Sequence, residues 1–392
     1  MKEELSYVLV TPYTISKSRT GGVISRLLSR TDLEFVGAQV FSPSDEMAQA
    51  YADSIENHSG SDDKEISDLL AEYVRTKFIS TDKKRRRVML MLFKGENAAQ
   101  KLSGIAGALH HKNLGIESIT GETIRDTYAD LVMDIENPEH VQYFEPAVLT
   151  ARTQKSAKAN MKIFADFLKN EQSIVENMTY RDPSKIERTL VIIKPDNWKY
   201  ASSKPGTIID MFARTGLRII GCKIQRMSVA QGLEFYGPVK DVLVEKLGPV
   251  FGKKGKEVLE DKFDIKLSDE SLKMLTNSFG AEYAVDQFNQ IIEFMAGTKP
   301  PECPSEELNK PGKVKSMVLI YEGEDAVNKI RDVLGPTDPT KAPGGTIRRE
   351  FGSNIMVNTA HASDSTDNSK REMGIVRIND NNCCSLMEKY LV

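Results

Sequence analysis

The chain is poor in cysteine, nearly balanced in charge and without any long apolar run, and each scarcity removes a class of function. Four cysteines in 392 residues, at 222, 303, 383 and 384, have neither metal-ligand spacing nor the density of a disulfide framework. They read as reduced thiols, with the adjacent Cys383 and Cys384 explained by packing of the tail. With 53 basic against 56 acidic residues the formal charge is −3, so no overall basic surface is available and nucleic-acid binding is not expected. The start M-K-E-E-L-S-Y lacks an apolar signal core, and no run is long enough to span a bilayer. A cytoplasmic protein without membrane association is expected. The glycine-rich G-x-x-x-x-G-K-[ST] cradle for phosphates is also missing, so phosphate chemistry here must rest on side chains.

What is present is a duplication. Y-V-L-V-T-P at 7–12 parallels L-V-I-I-K-P at 190–195, and G-V-I-S-R-L-L-S-R-T-D-L-E-F-V-G at 22–37 parallels G-T-I-I-D-M-F-A-R-T-G-L-R-I-I-G at 206–221. V-M-L-M-L-F-K-G-E-N at 88–97 matches S-M-V-L-I-Y-E-G-E-D at 316–325, and G-E-T-I-R at 121–125 matches G-G-T-I-R at 344–348. A length above that of one ordinary compact domain agrees. The expected organisation is a first domain at 1–170, a linker at 171–187 and a second domain at 188–392, with Pro183 stopping the preceding helix. A segment at about 248–315 has no counterpart of similar length in the first half.

Periodicity supplies the local structure. In the second half, 189–193 is a continuous apolar strand, 206–215 a helix closed by Gly216, and 217–227 an alternating strand. Residues 229–247 have helical spacing, 316–321 form a strand, 325–334 form a helix ending at Gly335, and a further helix follows Ser365. Within the extra segment, 281–297 is helical and 298–313 is a proline-rich loop. The expected fold class is α+β: two tandem ferredoxin-like βαββαβ domains with antiparallel sheets and a helical insertion in the second.

The chemistry concentrates in that second half. His361 stands in N-T-A-H-A-S-D-S at 358–365, and upstream P-G-G-T-I-R at 343–348 sets Arg348 beside a flexible glycine pair. There a guanidinium can grip two phosphate oxygens at once. The run T-L-V-I-I at 189–193 breaks at K-P-D, placing the ammonium of Lys194 at a strand end. A neutral imidazole surrounded by such cations suits nucleophilic attack on phosphorus.

These strings, with E-F-Y at 234–236, Arg331 before a glycine, T-D-P-T-K-A-P-G-G-T-I-R at 337–348 and Glu372, resemble the nucleoside diphosphate kinase family over roughly residues 186 to 392. The resemblance implies a ping-pong phosphotransferase: His361 takes the terminal phosphate of a nucleoside triphosphate and passes it to a different diphosphate. It further implies that Glu372 orients the imidazole and Ser363 supports the pair. Lys194, Tyr236, Arg331, Thr337 and Arg348 would contact phosphates, while Asn358 and Lys194 would reach the sugar hydroxyls. Mg2+ would arrive with the nucleotide rather than in a cage built by the protein. Val244 stands where the family places its base-stacking aromatic, leaving Phe251 or an aromatic of the insertion for that part. A non-catalytic nucleotide-sensing or scaffold protein of the same fold is the alternative.

The first half keeps the scaffold strings and loses the reactive ones. Thr11 stands for Lys194, Ser103 for Arg331, Leu149 for His361 and Asn160 for Glu372, although Arg125 and Tyr51 remain. It is therefore expected to be a degenerate copy, packed against the active one as an intramolecular pseudo-dimer and open to further oligomerisation. His140, in N-P-E-H-V, lacks the flanking residues to substitute as nucleophile. The basic run K-K-R-R-R at 83–87 reads as a solvated loop.

Overall fold

A computed structural model describes residues 3–58, 64–81, 84–108, 121–137 and 141–391; His140 and Lys83 lie outside the described residues. Ten strands are present among them: β1 (Glu4–Val10), β2 (Glu34–Phe41), β3 (Val88–Gly95), β4 (Asp130–Met133), β5 (Val141–Glu145), β6 (Val148–Thr150), β7 (Ile186–Ile193), β8 (Arg218–Gln225), β9 (Ser316–Glu324) and β10 (Ala360–Ala362). The chain is α+β, with two four-stranded antiparallel sheets ordered β2-β3-β1-β6 and β8-β9-β7-β10, and a small β4-β5 hairpin. Counted within each half, the strand order is the same. The central strands β1, β3, β7 and β9 are buried over most of their length, which is why they read as unbroken apolar runs rather than alternating ones.

Backbone geometry repeats along with the strings. Asn97 and Asp325 each cap a following helix from the left-handed region, at φ 53° and 54°. Gly107 and Gly335 close those helices at φ 90° and 84°, where a threonine side chain packs against each, Thr123 and Thr346. Glycine is required there by conformation and by space. Ahead of the last strand of each sheet, Ala147 and Thr359 take φ 61° and 77° without being glycine, a costly conformation that persists only where surrounding contacts impose it.

Contact clustering divides the chain into one compact unit of Met1–Ile224 with Met317–Val392 and another of Gln225–Ser316. Inside the first unit the two sheets meet through related helices, Thr20–Arg30 and Lys204–Ala213. A methyl group added at Gly21 would lie 2.6 Å from the carbonyl of Gly206, so the crossing depends on backbone against backbone. Ser25 Oγ donates to the Ser203 carbonyl there at 3.0 Å. The segment after Leu168 is tied to the second sheet, Val175 N donating to Ile220 O at 2.8 Å. Arg87 does not sit in a solvated loop: its guanidinium donates to the Ile219 carbonyl of the second sheet, and withdrawal from water lowers its pKa to about 10. The C-terminal helix Cys383–Leu391 returns to the first half, packing on the helix Gln154–Leu168. Cys383 is buried there, and Cys384 is partly buried.

The second unit is helical. Its helix Val229–Phe263 is capped by Ser228 and Gln231, and it runs through Pro238 and Pro249. Each proline removes one backbone donor without ending the helix. Packing of Gly280–Ala296 alongside explains how that is tolerated. A methyl at Gly280 would come within 2.6 Å of the Gly248 carbonyl, so the two helices approach closely through paired glycines. Phe251 stacks on Tyr283 with ring centroids 5.2 Å apart. Among the described residues no helix is long and apolar enough to cross a membrane.

Candidate functional site

The site begins where β7 stops. Pro195 cannot continue the ladder, and the chain leaves the sheet at Lys194, whose N–H donates to Thr359 O at 3.0 Å. Asn197 fixes this exit, its Nδ2 donating to the carbonyls of Lys194 at 2.9 Å and Thr359 at 2.7 Å. β10 pairs antiparallel with β7, placing Ala360 opposite Ile193 and His361 opposite Ile192. The pairing register thereby brings the imidazole and the ammonium to the same end of the sheet.

His361 is held by a buried carboxylate. Its Nε2 lies 2.9 Å from Glu372 Oε2, and Ser363 Oγ donates to the same oxygen at 2.6 Å. Glu372 sits on the helix Thr366–Ile375, started by Ser365, whose Oγ accepts from Asn368 N at 3.1 Å. Such an N-cap is worth about 1 kcal/mol; here it also fixes the turn that delivers the carboxylate. The Glu372 side chain is 6 % exposed and that of His361 22 %, so the acceptor is shielded while the ring meets solvent. With Nε2 facing the carboxylate, Nδ1 is the nitrogen left to carry the lone pair in the neutral ring.

Cations line the approach. Lys194 Nζ donates to Asn358 Oδ1 at 2.6 Å, and Asn358 Nδ2 donates to the carbonyls of Thr337 at 3.1 Å and Ile355 at 2.7 Å. One asparagine thus joins the lysine to two loops. Withdrawal from water, with the nearby Arg348 guanidinium acting in the same direction, lowers the Lys194 pKa to about 7. Asp196 opposes that shift; it is itself raised by burial and pairs with Lys204 at 3.5 Å. Arg348 donates from Nη1 to Gly335 O at 2.9 Å and from Nη2 to Ala360 O at 3.0 Å, bracing the loop against β10. Arg331 is exposed on the helix Ala326–Leu334 and contributes to holding Asp364 below the usual carboxylate range, after the larger effect of a hydrogen bond from Asn368. Thr337 is exposed in the loop that follows. Tyr236 belongs to the other compact unit, where it is nearly buried beside Phe235. Among the described residues no three His, Cys, Asp or Glu side chains converge as metal ligands.

The first half provides an internal control. Leu149 pairs with Leu9 of β1 as His361 pairs with Ile192 of β7, so an isobutyl group occupies the place of the imidazole. Asn160 stands where Glu372 does, accepting from Ser54 Oγ at 2.6 Å and donating to the Tyr7 hydroxyl at 2.8 Å. Tyr7 also bonds Tyr51, and both are fully buried against Phe164. Aromatic packing closes what the second half leaves open. Arg125 nevertheless repeats Arg348, donating to Gly107 O and, at 3.0 Å, to Val148 O. Thr14 repeats Asn197, its hydroxyl donating to Ala147 O at 2.9 Å. Motif reading missed Asn197 and Thr14; their signal was their matching place after T-P and K-P in the two repeats.

Comparison with known proteins agrees with this region. The family model described as nucleoside diphosphate kinase matches residues 307–380. A nucleoside diphosphate kinase of Anaeromyxobacter sp. (strain Fw109-5) is 33 % identical over 187 residues, covering 48 % of this chain and 86 % of that protein. One of Wolinella succinogenes is 32 % identical over 188 residues, covering 48 % of this chain and 93 % of its own length. Among solved structures, an NDP kinase from Pyrobaculum aerophilum aligns with 48 % of this chain and 94 % of its own, at 24 % identity and a TM-score of 0.34.

Because the same guanidinium bridge occurs in both halves, it supports the scaffold. Arg125→Ala and Arg348→Ala should each destabilise the fold by about 2–4 kcal/mol, since buried carbonyls lose charge-assisted donors. Urea denaturation checks this; an unshifted midpoint for both variants would show the bridges to be idle.

Proposed function

The chain belongs to the nucleoside diphosphate kinase family, and from that premise we propose that it transfers the terminal phosphate of a nucleoside triphosphate to a nucleoside diphosphate through a phosphohistidine at His361. The observation that carries the reading is the Glu372–His361 pair, seated beside Lys194 and Arg348 in one half and replaced by Asn160 and Leu149 in the other.

In this mechanism the Nδ1 lone pair attacks the γ-phosphorus in line. A P–N bond forms, the bond to the bridging β-oxygen breaks, and the electron pair leaves with the diphosphate. The ring gains positive charge as it bonds phosphorus, and Glu372, accepting from Nε2–H, offsets that charge without moving a proton. Ser363 holds the carboxylate in place. Charge spreading over the equatorial oxygens in transit is met by Lys194, Arg331 and Arg348, with Thr337 as a hydroxyl donor. Asn358 and Lys194 reach the sugar. A phosphate oxygen of the second diphosphate then attacks phosphorus, the P–N bond breaks, and His361 returns to its neutral form. Mg2+ is read as a companion of the nucleotide, on which it would neutralise part of the phosphate charge.

The same reading extends to architecture. Two tandem ferredoxin-like domains form a built-in pseudo-dimer, the first contributing packing surface through the Gly21–Gly206 crossing and no transfer chemistry. The domain limits 1–170, 171–187 and 188–392, with an insertion at about 248–315, belong to this proposal, as does cytoplasmic residence.

Steady-state rates measured with both substrates varied should give the parallel reciprocal plots of a ping-pong reaction. His361→Gln should lower exchange by at least about a thousandfold in a protein with wild-type circular dichroism, since the group that carries the phosphoryl is removed. Intersecting plots, or substantial turnover by the variant, would overturn the mechanism.

Lys194 supplies a pH signature. In the free protein its pKa lies at about 7. Phosphate binding raises it, so above pH 7 the nucleotide binds together with a proton, and affinity falls as pH rises. At about pH 8, calorimetry of ADP in buffers of different ionisation enthalpy should show uptake approaching about one proton. Lys194→Arg, whose side chain stays protonated, should abolish the uptake; equal uptake by both proteins would remove Lys194 from the phosphate site.

A further inference from the structure

The opposite end of β7 carries a second group of cations. Arg181, Lys185, Arg218 and Lys329 line a cavity of about 680 Å³ with Tyr180 and Asp182, close to Gly216 and Gly323. Ile186 at this end pairs with Glu324, whereas His361 pairs with Ile192. Along a strand rising about 3.3 Å per residue the two places are roughly 20 Å apart.

The duplication shows what is unusual about it. A sister cavity of about 540 Å³ in the first half is lined by Arg30, Asp32, Lys101 and Glu122, and its charges are matched. Lys101 pairs with Asp32 at 2.6 Å and Arg30 with Glu122 at 3.7 Å. In the second half T-D-L-E at 31–34 has become T-G-L-R at 215–218. Two carboxylates, Asp32 and Glu34, are thus replaced by a glycine and an arginine, while Lys101 remains as Lys329. Lys329 Nζ turns to the Glu324 carbonyl at 2.7 Å. The second cavity's carboxylates, Asp182 and Glu324, both pair with Lys185, at 3.6 and 3.9 Å. Among the described residues no carboxylate forms a salt bridge with Arg181, Arg218 or Lys329.

One of these cations is also fixed in position. The Arg218 guanidinium stacks over the Tyr180 ring at 4.3 Å and donates to Thr179 O at 2.6 Å, and the Tyr180 hydroxyl donates to Glu322 Oε1 at 2.8 Å. The ring face is occupied by the arginine, so the cavity offers charge rather than a platform for a base. We propose that it is a second anion site for a short chain of linked phosphates, either inorganic polyphosphate or the phosphate tail of a nucleotide, separate from the phosphohistidine centre.

Isothermal titration of the full-length protein with inorganic tripolyphosphate tests this. Wild type should bind at two sites per chain. Arg181→Ser/Lys329→Ser should weaken one of them by about tenfold or more while retaining phosphate exchange, and Arg331→Ala should weaken only the other. Both residues of the double variant are accessible and outside the core; Lys329→Gln alone, expected to give a smaller loss at the same site, serves if the double variant is less stable. ADP in place of tripolyphosphate separates the two sources: two ADP per chain, reduced to one in the double variant, identifies a nucleotide tail, whereas one ADP beside two tripolyphosphates identifies free polyphosphate. A single tripolyphosphate site in wild type, or undiminished binding by the double variant, overturns the proposal.

Discussion

The arrangement depends on one buried carboxylate. Glu372 is removed from water, and a carboxylate there is unfavourable unless donors replace its hydration. Ser363 and His361 are those donors, at 2.6 and 2.9 Å from a single oxygen. Their need is mutual: the acid requires the imidazole N–H, and the imidazole requires the acid to fix which nitrogen keeps its lone pair. Where the first half lacks the histidine it also lacks the charge. Asn160 there makes neutral hydrogen bonds to Ser54 and Tyr7, which satisfy it without a buried charge.

Around that pair the two halves share a common scaffold. The guanidinium bridge, the strained residue before the last strand and the side chain closing the β1 or β7 exit occur in both halves. They are therefore requirements of the fold. At the proposed reactive positions the first half has Leu149 for His361, Asn160 for Glu372, Thr11 for Lys194 and Ser103 for Arg331. Aromatic packing by Tyr7, Tyr51 and Phe164 fills the first half, exchanging an open polar site for a core. Arg348 consequently has two duties, bracing a loop in the resting protein and, on the proposed mechanism, meeting phosphate charge.

Much of this was legible in the sequence because it was repeated. The apolar runs at 7–10 and 190–193 became β1 and β7, the central strands, since only a strand buried on both faces lacks polar alternation. Leu149 could be set opposite His361 because both halves keep the same step to a helix N-cap, Thr153 or Ser365. The contacts that were not legible join residues with no local signal. Arg87 looked like part of a solvated charge run, yet its partner is a carbonyl far along the chain at Ile219. The return of Cys383–Leu391 onto the first half follows from packing between halves, which periodicity does not encode. Helical spacing is read over 229–247, whereas the helix runs on through Pro249 to Phe263, because packing against Gly280–Ala296 outweighs local propensity.

The central claim is that one half of this chain carries a phosphoryl group on nitrogen and the other cannot. Incubation of the intact protein with γ-labelled ATP, followed by peptide mapping under alkaline conditions that preserve phosphohistidine, addresses it directly. The account predicts one acid-labile, base-stable phosphoryl group per chain, on His361, released when a nucleoside diphosphate is added. Label on any residue of the first half, or an acid-stable adduct that a diphosphate does not discharge, would contradict it.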